Sequence, residues 1–141
     1  MIQKYIEIIT NEAKKSLLTN DVPVGAIIIE NNKIIAKSHN CREKYHSITK
    51  HAELIALERA CKKKGTWHLD DCEIYVTMEP CLMCMNAISQ ARIKKVNYIL
   101  SNNTYKNIQY NMNKKIQLNK IQVESNEINI MLKNFFEDKR K

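Results

Sequence analysis

The chain is poor in the residues that interrupt compact structure. Its 141 residues include only two glycines and two prolines, and no stretch rich in proline, glycine or serine divides it. The sequence therefore contains no sign of a long linker between domains. Because this length is also typical of one domain, we predict a single domain over residues 1–141, with a 44% hydrophobic share that suffices for a core.

Long apolar runs are missing as well. Residues 26–29 form an apolar run that is far too short to cross a bilayer. Near the N-terminus, charges at Glu7, Glu12, Lys14 and Lys15 interrupt any segment resembling the apolar part of a signal peptide. We therefore expect no membrane association.

The cysteines do not form the even set that is typical of a small disulfide-linked domain. There are five of them, at Cys41, Cys61, Cys72, Cys81 and Cys84. An odd number at irregular spacing favours a reducing compartment in which some of the thiols bind a metal. We therefore expect a cytoplasmic protein.

Acidic residues are fewer than basic ones. The 15 Asp and Glu residues face 23 Lys and Arg residues, so the net charge is +8. Such a balance favours polyanionic partners, above all nucleic acid. The abundant Ile, Lys and Asn residues have AT-rich codons, however, so genome composition alone would also make the chain basic. The charge permits a nucleic-acid partner without requiring one.

The spacing of apolar residues predicts helices that alternate with strands. Ile2, Tyr5, Ile9 and Ala13 recur at helical spacing, so the chain opens with an amphipathic helix. The alternation that follows predicts α/β layers with helices on both faces of a sheet. The later predicted elements are strands over residues 24–29 and 33–36 joined by a turn at 31–32, a helix over 51–64 ending at Gly65, a strand over 73–78, a helix over 81–91, strands over 96–100 and 120–124, and a C-terminal helix capped at Ser125 or Asn126.

Two cysteines and one histidine have the spacing of a zinc site. Cys81 and Cys84 are three residues apart at the start of a predicted helix, so both sulfurs lie on one helical face. A helix N-terminus also favours the thiolate form that binds zinc. His51 begins the other predicted helix, where it would supply a third ligand. We predict one Zn²⁺ per chain, with a fourth position open to water.

A carboxylate accompanies this set. Glu53 follows His51 by two residues, and a carboxylate that does not bind the metal is free to move protons. Three protein ligands together with an acid–base group predict hydrolysis by a metal-activated water.

Two other zinc or thiol sites would use some of the same residues. A closed structural site needs a fourth protein ligand. Cys72 is separated from Cys81 by a strand of roughly 20 Å, and Cys61 lies about 15 Å along a helix from His51. Neither cysteine is a suitable fourth ligand, whereas Cys41 remains a candidate. A redox pair made by the C-x-x-C segment alone is the other alternative, and the nearby His51 and Glu53 argue against it.

These residues resemble the zinc-dependent nucleobase and nucleoside deaminases. His51 and Glu53, followed by Pro80, Cys81 and Cys84, match the H-x-E…P-C-x-x-C signature of that superfamily. Within it, the chain is similar to the bacterial tRNA-specific adenosine deaminases. The similar segments are residues 21–26, 77–84, 87–88, 91–93 and 135–136.

The resemblance implies a fold, a reaction and a set of site residues. It implies a three-layer α/β/α cytidine-deaminase-like fold with a five-stranded mixed sheet, usually in a homodimer. The implied reaction converts adenosine to inosine at the wobble position of a tRNA anticodon loop. The implied site residues are His51, Cys81 and Cys84 as zinc ligands, Glu53 as proton shuttle, and Asn40, Ala52 and Asn102 as substrate-binding residues.

The chain also departs from the pattern of that family. Residues 100–106 contain no glycine, and Asn102 takes the place of an aspartate that helps to hold the substrate backbone. Residues 47–50 replace the more usual Pro-Thr-Ala lead-in. A deaminase of a free base or nucleoside, such as guanine, cytosine or cytidine, would share the four chemical residues. A nonenzymatic zinc-containing RNA-binding module would have no use for Glu53.

Overall fold

The structure is a computed structural model that describes residues 1–102, 116–123 and 125–140. None of the helices in this part of the chain is long and apolar enough to cross a membrane. Residues 103–115, most of the polar stretch between the last two strands, lie outside the described part. The elements are α1 (Ile2–Ser16), a 3₁₀ turn (Leu17–Thr19), β1 (Gly25–Glu30), β2 (Lys33–His39), α2 (Arg42–Tyr45), α3 (Ala52–Lys64), β3 (Cys72–Met78), α4 (Leu82–Gln90), β4 (Lys95–Leu100), β5 (Gln117–Lys120) and α5 (Glu127–Arg140).

The five strands form one mixed sheet in the order β2-β1-β3-β4-β5. β1 pairs with β2 and with β3 in antiparallel fashion. β3 pairs with β4, and β4 with β5, in parallel fashion. The helix α4 makes the crossover between the parallel strands β3 and β4. The predicted five-stranded mixed sheet is confirmed.

The β1–β2 hairpin turns at the predicted residues. Asn31 and Asn32 have φ angles of 51° and 64°, and asparagine tolerates this left-handed conformation better than most residues. Positive φ at both positions is the requirement of a type I′ turn, one of the two turn types that match the twist of the strands in a two-residue hairpin. β2 runs three residues beyond the predicted end at residue 36, because the pairing with β1 continues to His39 opposite Gly25. The extension places Asn40 directly after the end of the strand.

Alternate residues of the strands pack against helices on the two faces of the sheet. In β1, Ala26 and Ile28 belong to the core on the side of α3 and α4. Ile27 and Ile29 belong to the core on the side of α1 and α5. This period of two is the pattern of a strand buried on both faces. The predicted three-layer α/β/α fold is therefore confirmed.

The last strand was predicted at the wrong place. It spans Gln117–Lys120 and not residues 120–124, of which residue 124 lies outside the described part. Its parallel pairing with β4 and a hydrogen bond from Asn119 Nδ2 to Asn97 Oδ1 (3.2 Å) stabilise this polar segment as an edge strand. Ile121 and Val123, which suggested a strand, instead pack against the core from the segment that follows. Tertiary pairing thus decides where the strand forms.

The start of the C-terminal helix uses both predicted capping residues. The Ser125 hydroxyl accepts a hydrogen bond from the Glu127 backbone N–H at 3.1 Å. The Asn126 carbonyl accepts the first helical hydrogen bond, from Ile130 N–H, at 2.9 Å. The side chain of one residue and the backbone of the other therefore share the cap.

Gly25 allows α1 to pack directly on β1, and this contact generates a stability prediction. A Cβ at residue 25 would overlap with the Ile9 carbonyl oxygen and lie 2.8 Å from the Ala13 nitrogen, and both are backbone atoms of α1. We expect Gly25→Ala to lower the free energy of unfolding by about 3 kcal/mol, because α1 must move away from the sheet. Urea denaturation monitored by circular dichroism measures this change.

Gly65→Ala is the matched control. Gly65 has a φ of 71° at the end of α3, but a Cβ there would meet nothing within 4 Å. The cost should be about 1 kcal/mol, the strain of a left-handed alanine alone. Equal destabilisation by the two substitutions would contradict the close packing of α1 on Gly25.

Candidate metal centre and active-site cavity

Two helix N-termini meet at one edge of the sheet. His51 immediately precedes α3, and its carbonyl accepts the first helical hydrogen bond from Ile55 N–H at 3.1 Å. Cys81 precedes α4 in the same way, with its carbonyl bonded to Met85 N–H at 2.9 Å. Cys84 lies in the first turn of α4. The predicted ligand residues therefore sit where the positive ends of two helix dipoles favour a thiolate.

The donor atoms of these residues have the spacing of a zinc site. His51 Nδ1 lies 3.6 Å from Cys81 Sγ and 3.3 Å from Cys84 Sγ. All three atoms lie within 4.8 Å of one another. A tetrahedral zinc, with bonds of about 2.3 Å to sulfur and about 2.1 Å to nitrogen, separates such ligands by about 3.6 Å. His51, Cys81 and Cys84 could therefore hold a zinc ion without rearrangement of the backbone.

The two thiols are electrostatically different. A hydrogen bond from Cys84 and the neighbouring His51 together lower the pKa of Cys81 to about 4, against the opposing effect of burial. The same hydrogen bond, together with burial, raises the pKa of Cys84. The pair thus keeps one proton near neutral pH, and a metal that binds both sulfurs must release it.

A fourth protein ligand is missing from the described residues. No other His, Cys, Asp or Glu side chain in this part of the chain joins the group of three. The thiol of Cys41, which the sequence left open as a candidate, donates to the His39 carbonyl at 3.3 Å. Three protein ligands are the number typical of catalytic zinc sites, in which the fourth position receives water or substrate.

Glu53 lies beside this group in the first turn of α3. It is 5% exposed, and burial raises its pKa to about 7, despite the opposing effects of its backbone hydrogen bond and of His51. The neighbouring Cys84 also acts to lower the pKa of this carboxyl. A buried carboxyl whose pKa is close to neutral can both accept and release a proton at physiological pH, as general acid–base catalysis requires.

A cavity of about 130 Å³ opens onto these residues. Its volume is well below that of a typical ligand pocket of 300 Å³ or more, so it admits a small group rather than a whole nucleotide. Cys84 lies fully buried behind the wall. The residues predicted from the sequence that line the cavity are Asn40, His51, Ala52, Glu53, Cys81 and Asn102.

Hydrogen bonds on both sides fix the position of Asn40. Its side-chain Nδ2 donates to the Val22 carbonyl at 3.1 Å, and its Oδ1 accepts from the Arg42 backbone N–H at 3.3 Å. The Ser16 hydroxyl, which is fully buried, donates to the Asn40 carbonyl at 3.0 Å. These bonds attach the end of β2 to α1 and leave the Asn40 side chain at the cavity wall.

Five residues that the sequence did not single out as site residues also line the cavity. Glu79 accepts a hydrogen bond from the Asn102 backbone N–H at 3.1 Å, so it holds the end of β4 at the cavity. Its place two residues before Cys81 was a signal that could have identified it. Arg42 carried no such signal, because it is one of 23 Lys and Arg residues in the sequence. The five residues are Val22, Val24, Arg42, Met78 and Glu79.

Comparison with known proteins identifies related families. The model of the MafB19-like deaminases matches residues 2–140. A tRNA-specific adenosine deaminase from Aquifex aeolicus is 44% identical over 92 residues, which are 65% of this chain and 61% of that protein. The chain thus spans less than two thirds of the length of this relative. A tRNA-specific adenosine deaminase from Rickettsia bellii is 41% identical over 103 residues, 72% of this chain and 71% of that protein.

Solved structures of deaminases have the same fold. A tRNA:A34 deaminase, studied for A-to-I editing at the wobble position of transfer RNA, superposes with a TM-score of 0.69 at 34% identity. The match covers 71% of this chain and 77% of that one. The guanine deaminase of Bacillus subtilis superposes with a TM-score of 0.67 at 26% identity, over 99% of this chain and 94% of that one. The chain belongs to the MafB19-like deaminases and to the family of tRNA-specific adenosine deaminases.

Proposed function

We propose that the protein is a zinc-dependent hydrolase that converts adenosine to inosine at the wobble position of a tRNA anticodon. The observation that carries this proposal is the position of Glu53, buried beside a group of three possible zinc ligands and facing the cavity. A structural zinc site would have no use for a carboxyl in this position. The names of the tRNA-specific relatives support the choice of substrate.

In this proposal His51, Cys81 and Cys84 hold the zinc ion. A zinc ion held by these residues would lower the pKa of a bound water toward about 7 and so supply a nucleophile at neutral pH. The two cysteines bind as thiolates, a form that the start of α4 already favours for Cys81. The imidazole of His51 binds through Nδ1, the atom that faces both sulfurs.

Glu53 moves the protons of the reaction. It accepts a proton from the attacking water and donates it to the N1 atom of the adenine ring while the new C6–O bond forms. It then transfers the second water proton to the amino group, which leaves as ammonia when the C6–N bond breaks. Adenosine and one water thus give inosine and ammonia, and Glu53 ends in its starting protonation state.

The cavity receives only the base. An adenine stacked in a helix could not enter it, so the substrate must be single-stranded or flipped. An anticodon loop presents unstacked bases at little cost. We propose that Asn40 and Ala52 contact the base and ribose, and that Asn102, which also lines the cavity, contacts the nearby backbone.

We further propose that the chain acts in the cytoplasm, where tRNA is modified, as one deaminase domain in a homodimer. An apolar groove between α3 and α4, lined in part by Leu54, Leu57 and Trp67, is a surface that such a dimer would bury. Trp67 is 56% exposed, which is unusual for so large an apolar side chain.

A deaminase of free guanine is the second candidate. The similarity to the Bacillus subtilis guanine deaminase extends over nearly the whole chain, and that enzyme class would use the same four chemical residues. The higher identity to tRNA-specific relatives favours the RNA substrate. The two candidates differ in whether the base must be attached to a polynucleotide.

Incubation with separate substrates tests this choice. We expect inosine to form in an anticodon stem-loop RNA with adenosine at the wobble position. We expect no product from free guanine, cytosine, cytidine or adenosine, because these bring no polynucleotide contacts. Nucleoside composition after nuclease digestion measures the product. Conversion of guanine to xanthine, without formation of inosine in the RNA, would instead support a guanine deaminase.

Substitution of a zinc ligand tests the metal centre. We expect Cys84→Ser to weaken zinc binding by more than roughly a hundredfold, which exceeds the cost of losing a group that merely orients a ligand. Competition with a chromophoric chelator measures this affinity without recourse to activity. Cys61→Ser is the control, because Cys61 lies on α3 outside the group of three. Zinc affinity equal in both variants would remove Cys84 from the ligand set.

Glu53→Gln tests the proton carrier. The amide keeps the size of the side chain but carries no proton between water and base, so we expect kcat to fall by about 10²–10⁴-fold with normal zinc content. Glu58→Gln is the control on the same helix, where the side chain is 68% exposed. A Glu53→Gln rate within a few-fold of that control would exclude Glu53 from the chemistry.

A further inference from the structure

Arg42 stands at the opening of the cavity. Among the described residues that line it, Arg42 is the only exposed one, whereas Asn40, Ala52 and Glu53 are buried and the others are partly buried. It is also the only lysine or arginine in this lining. When a group enters the cavity, the rest of its molecule therefore lies beside the permanently charged guanidinium of Arg42.

The backbone that carries Arg42 is held from two sides. Its N–H donates to Asn40 Oδ1 at 3.3 Å. The next two N–H groups, of Glu43 and Lys44, donate to the Asp21 carboxylate at 2.5 and 3.3 Å. Asp21 is 1% exposed and also accepts the Thr19 hydroxyl. The start of α2 is thus fixed relative to Asn40, so the Arg42 side chain extends from a fixed backbone position at the cavity rim.

The guanidinium itself is available for a ligand. Within the described part of the chain, no hydrogen bond or ion pair engages the Arg42 side chain, although its backbone is bonded on both sides of the turn. Arg59, by contrast, donates to the Lys37 carbonyl. The five N–H groups of a guanidinium match the oxygens of a phosphate in a bidentate geometry.

We propose that Arg42 binds a phosphate that flanks the deaminated nucleotide, and so makes the site selective for a base within a strand. This inference rests on the proposed function, because a free base carries no phosphate. The carboxylates in the described cavity lining are Glu53, which moves protons in the proposed reaction, and Glu79, which accepts the Asn102 N–H. Arg42 acts on binding, and Glu53 and the zinc ligands perform the chemistry.

Steady-state kinetics on the anticodon stem-loop test the proposal. We expect Arg42→Ala to raise KM roughly tenfold or more and to change kcat less than threefold, because a charge-assisted contact is lost without loss of a reacting group. The slope of log(kcat/KM) against log[salt] should become shallower by about 0.7–1, the contribution of one phosphate contact. Arg42→Lys should recover part of the loss, since it keeps the charge without the planar fork.

Lys44→Ala is the matched control. Lys44 carries the same charge two residues away on α2, but it lies over the Tyr45 ring and outside the cavity lining. We expect its KM and salt slope to stay close to those of the unmodified protein. If Arg42→Ala and Lys44→Ala change KM and the salt slope equally, Arg42 contributes only as one more positive charge on the surface, and the proposal is wrong.

Neutral linkages in the RNA identify the contact directly. Methylphosphonate replaces, in separate RNAs, the phosphate on each side of the wobble adenosine. One replacement should raise KM for the unmodified protein as much as Arg42→Ala does, and should have little further effect on that variant. If both replacements affect Arg42→Ala and the unmodified protein alike, Arg42 does not bind either phosphate. If the unmodified protein forms no inosine in the unmodified RNA, the proposed function itself fails, together with this inference.

Discussion

The approach of two helix N-termini at one edge of the sheet is the constraint on which the site depends. α3 packs on β1 and β2, and α4 connects β3 to β4, so their starts meet only because β1 lies between β2 and β3. The buried hydroxyl of Ser38, near the end of β2, donates to the Ala52 carbonyl and attaches α3 to the sheet. His51 reaches both cysteine sulfurs through this arrangement, so the position of each helix sets the spacing of the three donor atoms.

The same arrangement explains how Glu53 can be buried. An isolated carboxylate in the core would be costly, and burial indeed raises its pKa. The residue nevertheless lies in the first turn of α3, where the helix dipole favours negative charge. The two effects act in opposite directions on the ionised form, and the result is a group that can exchange a proton near neutral pH. A metal at His51, Cys81 and Cys84 would add positive charge to the same place.

Local chemistry explains which features the sequence predicts well. Asn31 and Asn32 accept positive φ, Gly65 ends a helix, and the i,i+3 cysteines share a helical face, so each can be recognised without knowledge of the fold. The distance between His51 and the cysteines could not be computed in this way, because it depends on sheet order; the sequence predicted the grouping from ligand chemistry and two helix starts, and the resemblance to known deaminases gave the same grouping. Asn40, Ala52 and Asn102 likewise came from the resemblance, and the structure brings them into one cavity lining.

Features that depend on distant partners were missed. The polar strand β5 forms because β4 offers it hydrogen bonds, and no apolar periodicity marks it in advance. Arg42 was missed for a related reason. A lone arginine in a basic sequence has no significance until the structure places it at a cavity rim, next to a residue that the family resemblance had already assigned to substrate binding.

Chemistry and substrate choice occupy different depths of this cavity. His51, Cys81 and Glu53 form the less exposed floor of the lining, with Cys84 buried behind it, and these four residues are the ones that a guanine deaminase would also need. Arg42 is the exposed residue of the lining, and in the proposed function it would lie where the base joins the rest of its substrate. A change at the rim alters binding without moving a reacting atom, because the floor is attached to α3 and α4 and the rim to α2 and the end of β4. One fold can therefore serve free bases and polynucleotides with a common floor, and discrimination between the two must come from rim residues whose contacts extend beyond the base.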